Sequence, residues 1–213
     1  MELKAIFWDF GGVLTTSPFE AFNRYEQEQG LPQDFIRGIN ATNPQDNAWA
    51  RFESSRIDAE AFDREFAEEA QAAGHRVPGA EVLALLSGDL RPQVVAALEA
   101  CKTRFKVACI TNNVKTGAGP GMARSAGKAA QIAEVMALFD TVIESSVEGV
   151  RKPEPAIYEI ACERLGVAPE HAAFLDDLGI NLKPARAMGM QTIKVHSEPQ
   201  LLRDLAALTG LSF

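Results

Sequence analysis

The chain has 213 residues, 46% hydrophobic and 23% charged, which gives one sizeable core with room for a smaller attached domain. A net charge of −8 argues against a nucleic-acid or anionic-membrane surface, yet leaves a small anionic substrate open, because one lysine and a bound cation can dominate a pocket. Cys101, Cys109 and Cys162 are scattered and form no C-x-x-C, so they read as packed thiols in a reducing compartment; with no signal-peptide pattern at M-E-L-K-A-I-F-W-D and no run of membrane-spanning length, the expected location is the cytoplasm.

The first element is an apolar run, Ala5, Ile6, Phe7 and Trp8, that ends in Asp9 and is followed by Gly11 and Gly12. A short, uninterrupted apolar run suits a strand buried on both faces, as in a parallel sheet. A carboxylate at the end of such a strand costs desolvation unless a cation or N–H groups compensate it. Taken alone, the stretch also fits an ordinary Asp turn.

From residue 17 the pattern turns helical for some seventy residues. Ser17-Pro18 suits an N-cap and N1, Phe19, Phe22 and Tyr25/Glu26 share one face, and Gly30 sits where a C′ glycine belongs. Further helices are expected from Pro32, from Pro44 and over 58–73, where Phe62, Phe66 and Ala70 recur at helical spacing before Gly74. Trp49 and Phe52 in this block could face either the core of a small bundle or a substrate, with the core as the expected side.

The rhythm then alternates. A helix is expected over 91–101, a strand over 105–110 ending at Thr111-Asn112-Asn113, and a Gly-rich loop over 117–121 before a helix reaching Met136. A short strand over 141–143 precedes E-S-S-V-E-G-V-R-K-P-E-P. A helix over 156–165 stops at Gly166, and a strand over 172–175 ends in Asp176-Asp177. A short helix over 181–188, a strand over 191–195 and a helix over 199–208 close the chain. Such alternation argues for a doubly wound parallel sheet, whose ligands bind beyond the carboxyl ends of the strands. Asp9, Thr111, Lys152 and Asp176/Asp177 all fall at or just after strand ends.

These are the parts of a phosphoryl-transfer site. An Asp can attack phosphorus, hydroxyl and backbone N–H groups at a strand-to-helix turn can hold phosphate oxygens, a Lys can neutralise both, and paired acids can hold Mg2+. Each part has an ordinary reading as well: a turn for Thr111-Asn112, a solvated charge for Lys152, a helix cap for Asp176-Asp177. It is the four in order, each at a strand end, that carry the specificity. By contrast, G-A-G-P-G and Gly127-Lys128 fit neither nucleotide-binding glycine motif, and the former reads as a mobile loop near the site. His196 reads as a surface or outer residue of the active edge, and His75 and His171 have no partner visible in sequence.

The set resembles the four motifs of the haloacid dehalogenase superfamily: D-F-G-G-V-L (9–14), I-T-N-N (110–113), R-K-P-E-P-A-I-Y (151–158) and F-L-D-D-L-G-I-N (174–181). The last two strings are most similar to the branch that contains the N-terminal phosphatase domain of soluble epoxide hydrolase. The resemblance covers essentially the whole chain. It implies an α/β fold, a Rossmann-like doubly wound parallel sheet of order 5-4-1-2-3, with core residues 1–16 and 89–213 and an all-helical cap over 17–88. It further implies Asp9 as nucleophile and, with the Gly11 carbonyl and Asp177, as a Mg2+ ligand; Thr111, the Asn112 backbone and Lys152 as the phosphoryl clamp; and Asp176 and Asn181 in support. The implied activity is Mg2+-dependent hydrolysis of a small phosphorylated substrate, without nucleic acid or membrane as partner and compatible with a homodimer.

One position departs from the pattern. Phosphatases of this superfamily usually carry a second Asp two residues after the nucleophile, as general acid/base, and here that residue is Gly11. Haloacid dehalogenases also lack it, since a halide leaves without a proton, but they need no Mg2+. A carbon–halogen hydrolase and a phosphate-binding protein with weak catalysis therefore stand as alternatives.

Overall fold

The computed structural model describes residues 2–113, 122–123 and 125–213; the Gly-rich loop over 117–121 lies outside them. Five parallel strands, β1 (Ala5–Trp8), β2 (Lys106–Thr111), β3 (Thr141–Glu144), β4 (Ala172–Asp176) and β5 (Gln191–Lys194), form one sheet in the order β3-β2-β1-β4-β5. Read from the other edge, this is the expected 5-4-1-2-3. The central strand is fully buried because its side chains alternate between two cores. Ile6 and Trp8 enter one, with Val94, Leu98, Ile132 and Leu201; Ala5 and Phe7 enter the other, with Ile157, Tyr158, Phe174 and Leu182. The helices that cover the first face are α6 (Pro92–Lys102), α7 (Ala126–Met136) and α11 (Glu198–Thr209); α9 (Pro155–Leu165) and α10 (Gly179–Ala187) cover the second.

Between β1 and α6 stand five helices, α1 (Pro18–Gln29), α2 (Phe35–Ala41), α3 (Ala48–Glu53), α4 (Ala59–Ala72) and α5 (Gly79–Ala84). They enclose a core of their own built on Phe22, Ile36, Phe52, Phe62 and Phe66. Phe62 is its centre: Phe52 stacks on it at 4.7 Å between centroids, and Phe66 and Trp49 pack at 5.4 and 5.8 Å. The periodicity over 58–73 corresponds to α4, capped by Asp58, and Gly30 ends α1 at φ +66°. Helix α5 is an addition to the sequence reading, since its six residues are too short to show a period. So is the single turn α8 (Ser145–Glu148) after β3.

Short helices need caps supplied from elsewhere, and these do. Buried Glu26 on α1 accepts from the Asp34 and Ile36 N–H groups at 2.8 and 2.9 Å, closing the start of α2. Glu69 accepts from Ala48 N at α3, and Asp63 from Ala80 N at α5. Two connections join this bundle to the sheet side by side. Thr15 pairs with Leu90, Thr16 N donates to Asp89 O at 2.8 Å, and a Cβ on Gly88 would overlap the Thr16 carbonyl.

The three cysteines are free and buried; desolvation pushes the Cys101 thiol up to about 12 and Cys162 up to about 11. Among the described residues no helix is long and apolar enough to cross a membrane.

Removing the Glu26 carboxylate leaves the buried Ile36 N–H and the part-buried Asp34 N–H without a partner. Glu26→Ala is expected to cost roughly 3 kcal/mol, read as a lower urea midpoint; an unchanged midpoint would contradict this view of α2.

Candidate active site

Parallel register brings the acids together. Trp8 pairs with Leu175, so Asp9, the next residue, comes level with Asp176, and Asp9 N donates to Leu175 O at 2.8 Å. Both carboxylates lie on the sheet face that carries α9 and α10. There Lys152, 2% exposed, reaches Asp9 at 2.7 Å and Asp176 at 2.8 Å.

Asp176 is saturated: it also accepts from Asn181 Nδ2 on both oxygens, at 3.1 and 3.0 Å, and from Leu178 N at 2.7 Å. Asn181 is fixed in turn by Tyr158, whose hydroxyl donates to its carbonyl at 2.7 Å. The side chain of Asn112 does not point free. It accepts from Lys152 N at 2.8 Å and donates to Lys152 O at 2.9 Å, a two-way clamp on the backbone of the lysine. Thr111, buried, is the last residue of β2 and lines the cavity with Asn112.

The turn after β1, Phe10–Leu14, starts with Phe10 N donating to the Asp9 carboxylate at 2.7 Å. Gly12 sits at φ +77°, and a Cβ there would collide with the Asp177 carboxylate. The sequence therefore keeps this position bare for two reasons, backbone and space. Arg91 holds the Gly12 carbonyl at 3.1 Å. Gly11, by contrast, has an ordinary φ of −67°, and a Cβ built on it meets nothing within 4 Å.

Carboxylate oxygens of Asp9, Asp176 and Asp177 lie within 4.8 Å of one another. Burial raises the pKa of Asp9; Lys152 opposes this, while Asp176 and Asp177 add to it. Burial, then Asp176, pushes Asp177 up to about 6. Burial alone would discharge Lys152, but Asp176 and Asp9 outweigh it and keep the ammonium charged. Three carboxylates against one ammonium leave an excess of negative charge in a desolvated corner. A hard divalent cation with oxygen ligands fits that excess. Asp176 has no oxygen to spare, so Asp9 and Asp177 are the side chains available to it, next to Gly11.

The site opens into a cavity of about 450 Å³ whose far wall is the helical bundle. Phe19, Phe22, Trp49, Leu86, Met122 and Ile180 give it an apolar lining, with Arg37 and Asn40 as polar points. Trp49 thus packs on the bundle core and also lines the cavity, the two sides that sequence reading left open; Phe52 is buried in the core at 2% exposure.

Several contacts were not visible in sequence. Ser17 caps α1 and also donates to Asp177 at 3.3 Å. Asn113 ties β2 to the end of β3: its side chain accepts from Ser146 N and donates to Glu144, and its backbone N–H donates to the Ser145 hydroxyl. Arg151 crosses from the sheet to the bundle, pairing with Glu53 and reaching Pro44 O at 3.4 Å. Capping patterns gave a signal only for Ser17. His196 is exposed, and His171 Nδ1 lies 2.9 Å from Glu2 O, so neither enters the site. His75 packs on the Phe35 ring.

Comparison with known proteins matches the family of haloacid dehalogenase-like hydrolases to residues 3–189. Bifunctional epoxide hydrolase 2 of Mus musculus is 33% identical over the full chain, which spans 40% of that relative's length. Among solved structures, a family enzyme from Bacteroides thetaiotaomicron in complex with magnesium and inorganic phosphate superposes with a TM-score of 0.60 at 19% identity, over 92% of this chain and 96% of that one. The L-2-haloacid dehalogenase of Xanthobacter autotrophicus, with chloropropionic acid covalently bound, does so with a TM-score of 0.61 at 20% identity, over 97% and 84%. At such identities the two structures share the fold with this chain.

The carboxylate cluster has a consequence for stability. Mg2+ is expected to raise the melting temperature of the wild type, since a ligand that binds only the native state stabilises it. Asp177→Asn relieves repulsion, so it should melt higher than the wild type without metal and lose the Mg2+ shift. A shift that survives in Asp177→Asn would contradict this placement of the cation.

Proposed function

The chain belongs to the haloacid dehalogenase-like hydrolases, and on that premise we propose that it is a Mg2+-dependent phosphatase of small organic phosphate monoesters, acting through an aspartyl-phosphate on Asp9. The observation that carries the reading is the chain of contacts Asp9–Lys152–Asp176 beside Asp177, at the mouth of a cavity large enough for a small substrate.

In this reading Lys152 does two things. It holds the Asp9 carboxylate in one orientation for attack on phosphorus, and it neutralises charge that builds on the phosphoryl oxygens. Asp176 and Asn181 fix the ammonium, and Asn112 fixes the backbone that carries it. The Thr111 hydroxyl and the Asn112 N–H donate to the phosphoryl group. Asp9, the Gly11 carbonyl and Asp177 would hold Mg2+, which when bound neutralises carboxylate and phosphate charge as a Lewis acid. The bundle closes over the pocket and excludes water during attack.

The apolar lining favours a substrate with an apolar body. The side-chain oxygen of Asn40 is buried without a hydrogen-bond partner among the described residues, which suits a hydroxyl or N–H donor on that body.

Gly11 supports a second reading, carbon–halogen hydrolysis with Asp9 as the ester-forming nucleophile, because a halide leaves without a proton. The charge excess around Asp9 speaks against it, since that chemistry calls for no cation. Gly11 equally supports a phosphate-binding protein with weak catalysis; ligand binding with no turnover of activated aryl phosphates would favour it.

Two measurements decide. Asp9→Asn should abolish phosphate release, by more than ~10⁴-fold if the covalent route is lost, and a chelator should abolish it in the wild type, with recovery on Mg2+ addition. Full activity in the chelator, or halide release from 2-haloacids without metal, would overturn the phosphatase reading.

A further inference from the structure

If Asp9 accepts a phosphoryl group, as proposed above, the departing alkoxide needs a proton, and Gly11 has no side chain to give one. Among the described residues, the ionisable side chains lining the cavity are Asp9, Arg37, Glu53, Arg151, Lys152 and Asp177. The two arginines do not release protons at working pH, and Lys152 is locked as an ammonium between Asp9 and Asp176. Asp9 is the nucleophile, and Asp177 faces the cation. One group is left.

Glu53 is the last residue of α3 and looks across the cavity from the bundle wall. Its side chain is 12% exposed and is held by Arg151. Arg151 is the residue before Lys152, so the carboxyl group that Arg151 positions is tied to the same short segment that positions Asp9. The charged and hydrogen-bonding groups around it are Arg151, Lys152 and Trp49. Burial raises its pKa above the usual glutamate value, and those three neighbours offset this only in part. An upward shift is the direction that a general acid requires.

We propose that Glu53 is the general acid/base of this enzyme, supplied by the bundle in place of the side chain that Gly11 lacks. As a carboxylate oxygen of Asp9 bonds to phosphorus, the bond from phosphorus to the ester oxygen breaks. Its electron pair goes to that oxygen, which takes the Glu53 proton and leaves as the alcohol. Water then attacks the aspartyl-phosphate at phosphorus and gives its proton to the Glu53 carboxylate. Asp9 departs unchanged and phosphate is released. An acid carried by the bundle is in place only when the bundle lies over the sheet. Leaving-group protonation is thereby linked to closure, and a substrate that does not permit closure forgoes the proton.

The test is a leaving-group series, from aryl phosphates whose phenols are acidic to simple alkyl phosphates, with kcat/KM measured in Mg2+ for the wild type and for Glu53→Gln, which keeps size and polarity without the proton. In the wild type, kcat/KM should change little along the series. In Glu53→Gln the loss should grow with leaving-group pKa, reaching ~10²–10⁴-fold for alkyl phosphates. Adding Gly11→Asp to Glu53→Gln should restore alkyl phosphate turnover, since the space at Gly11 is open and its backbone is ordinary. A uniform loss along the series, no loss at all, or a wild-type kcat/KM that already falls steeply with leaving-group pKa would overturn the assignment. A wild type that hydrolyses no member of the series would overturn the phosphatase reading, and the assignment with it.

Discussion

Everything at the strand ends is arranged around one buried ammonium. Lys152 lies 2.7 Å from Asp9 and 2.8 Å from Asp176, at 2% exposure. Leaving any one of these three without its partners would cost several kcal/mol, because buried unpaired charges are expensive. The neighbourhood therefore closes around the pair. Asn181 and Leu178 N complete Asp176, Tyr158 anchors Asn181, and the Asn112 amide grips the Lys152 backbone at both ends. The result is an Asp9 carboxylate with little freedom to turn, which suits the nucleophilic role we propose for it.

The fold supplies this geometry cheaply. In a parallel sheet, a residue one past the end of the central strand is brought level with the last residue of its neighbour, so Asp9 meets Asp176 by register alone. The Phe10–Leu14 turn then bends the chain away, and Gly12 at φ +77° leaves room for Asp177. The bundle of α1 to α5 has its own aromatic core, and two adjacent connections carry it. It touches the sheet side again through Arg151 and Glu53. Such a division separates the work. In our proposal the sheet holds the reacting groups, while the bundle determines what enters and delivers the proton.

Much of this was legible in sequence because the relevant signals are local. Each of the strands carrying Asp9, Thr111 and Asp176 reads as a short apolar run that stops at a polar residue, and a parallel sheet puts all such stops on one edge. The order of the strands followed from the resemblance to a known family. What sequence reading left out depends on long-range pairing. Ser17 is visible as a cap but not as a donor to Asp177, 160 positions away. Glu53 lies 98 positions from Arg151 and at the end of a six-residue helix, and no local pattern singles it out. Trp49 belongs to an aromatic stripe and also faces the cavity, and no periodicity distinguishes those two roles. The meaning of Gly11 changed too. In sequence it marks a missing acid; in three dimensions it is open space facing a cavity whose opposite wall carries a buried glutamate.

That the carboxylate held by Lys152 takes up the phosphoryl group is our proposal. It is tested most directly by a single turnover with enzyme in excess over an aryl phosphate, quenched in acid at successive times, with the peptide that contains Asp9 followed by mass spectrometry. A phosphoryl adduct on Asp9 should rise before phosphate is released and then decay. Complete release of phosphate with no adduct on that peptide at any time would contradict it.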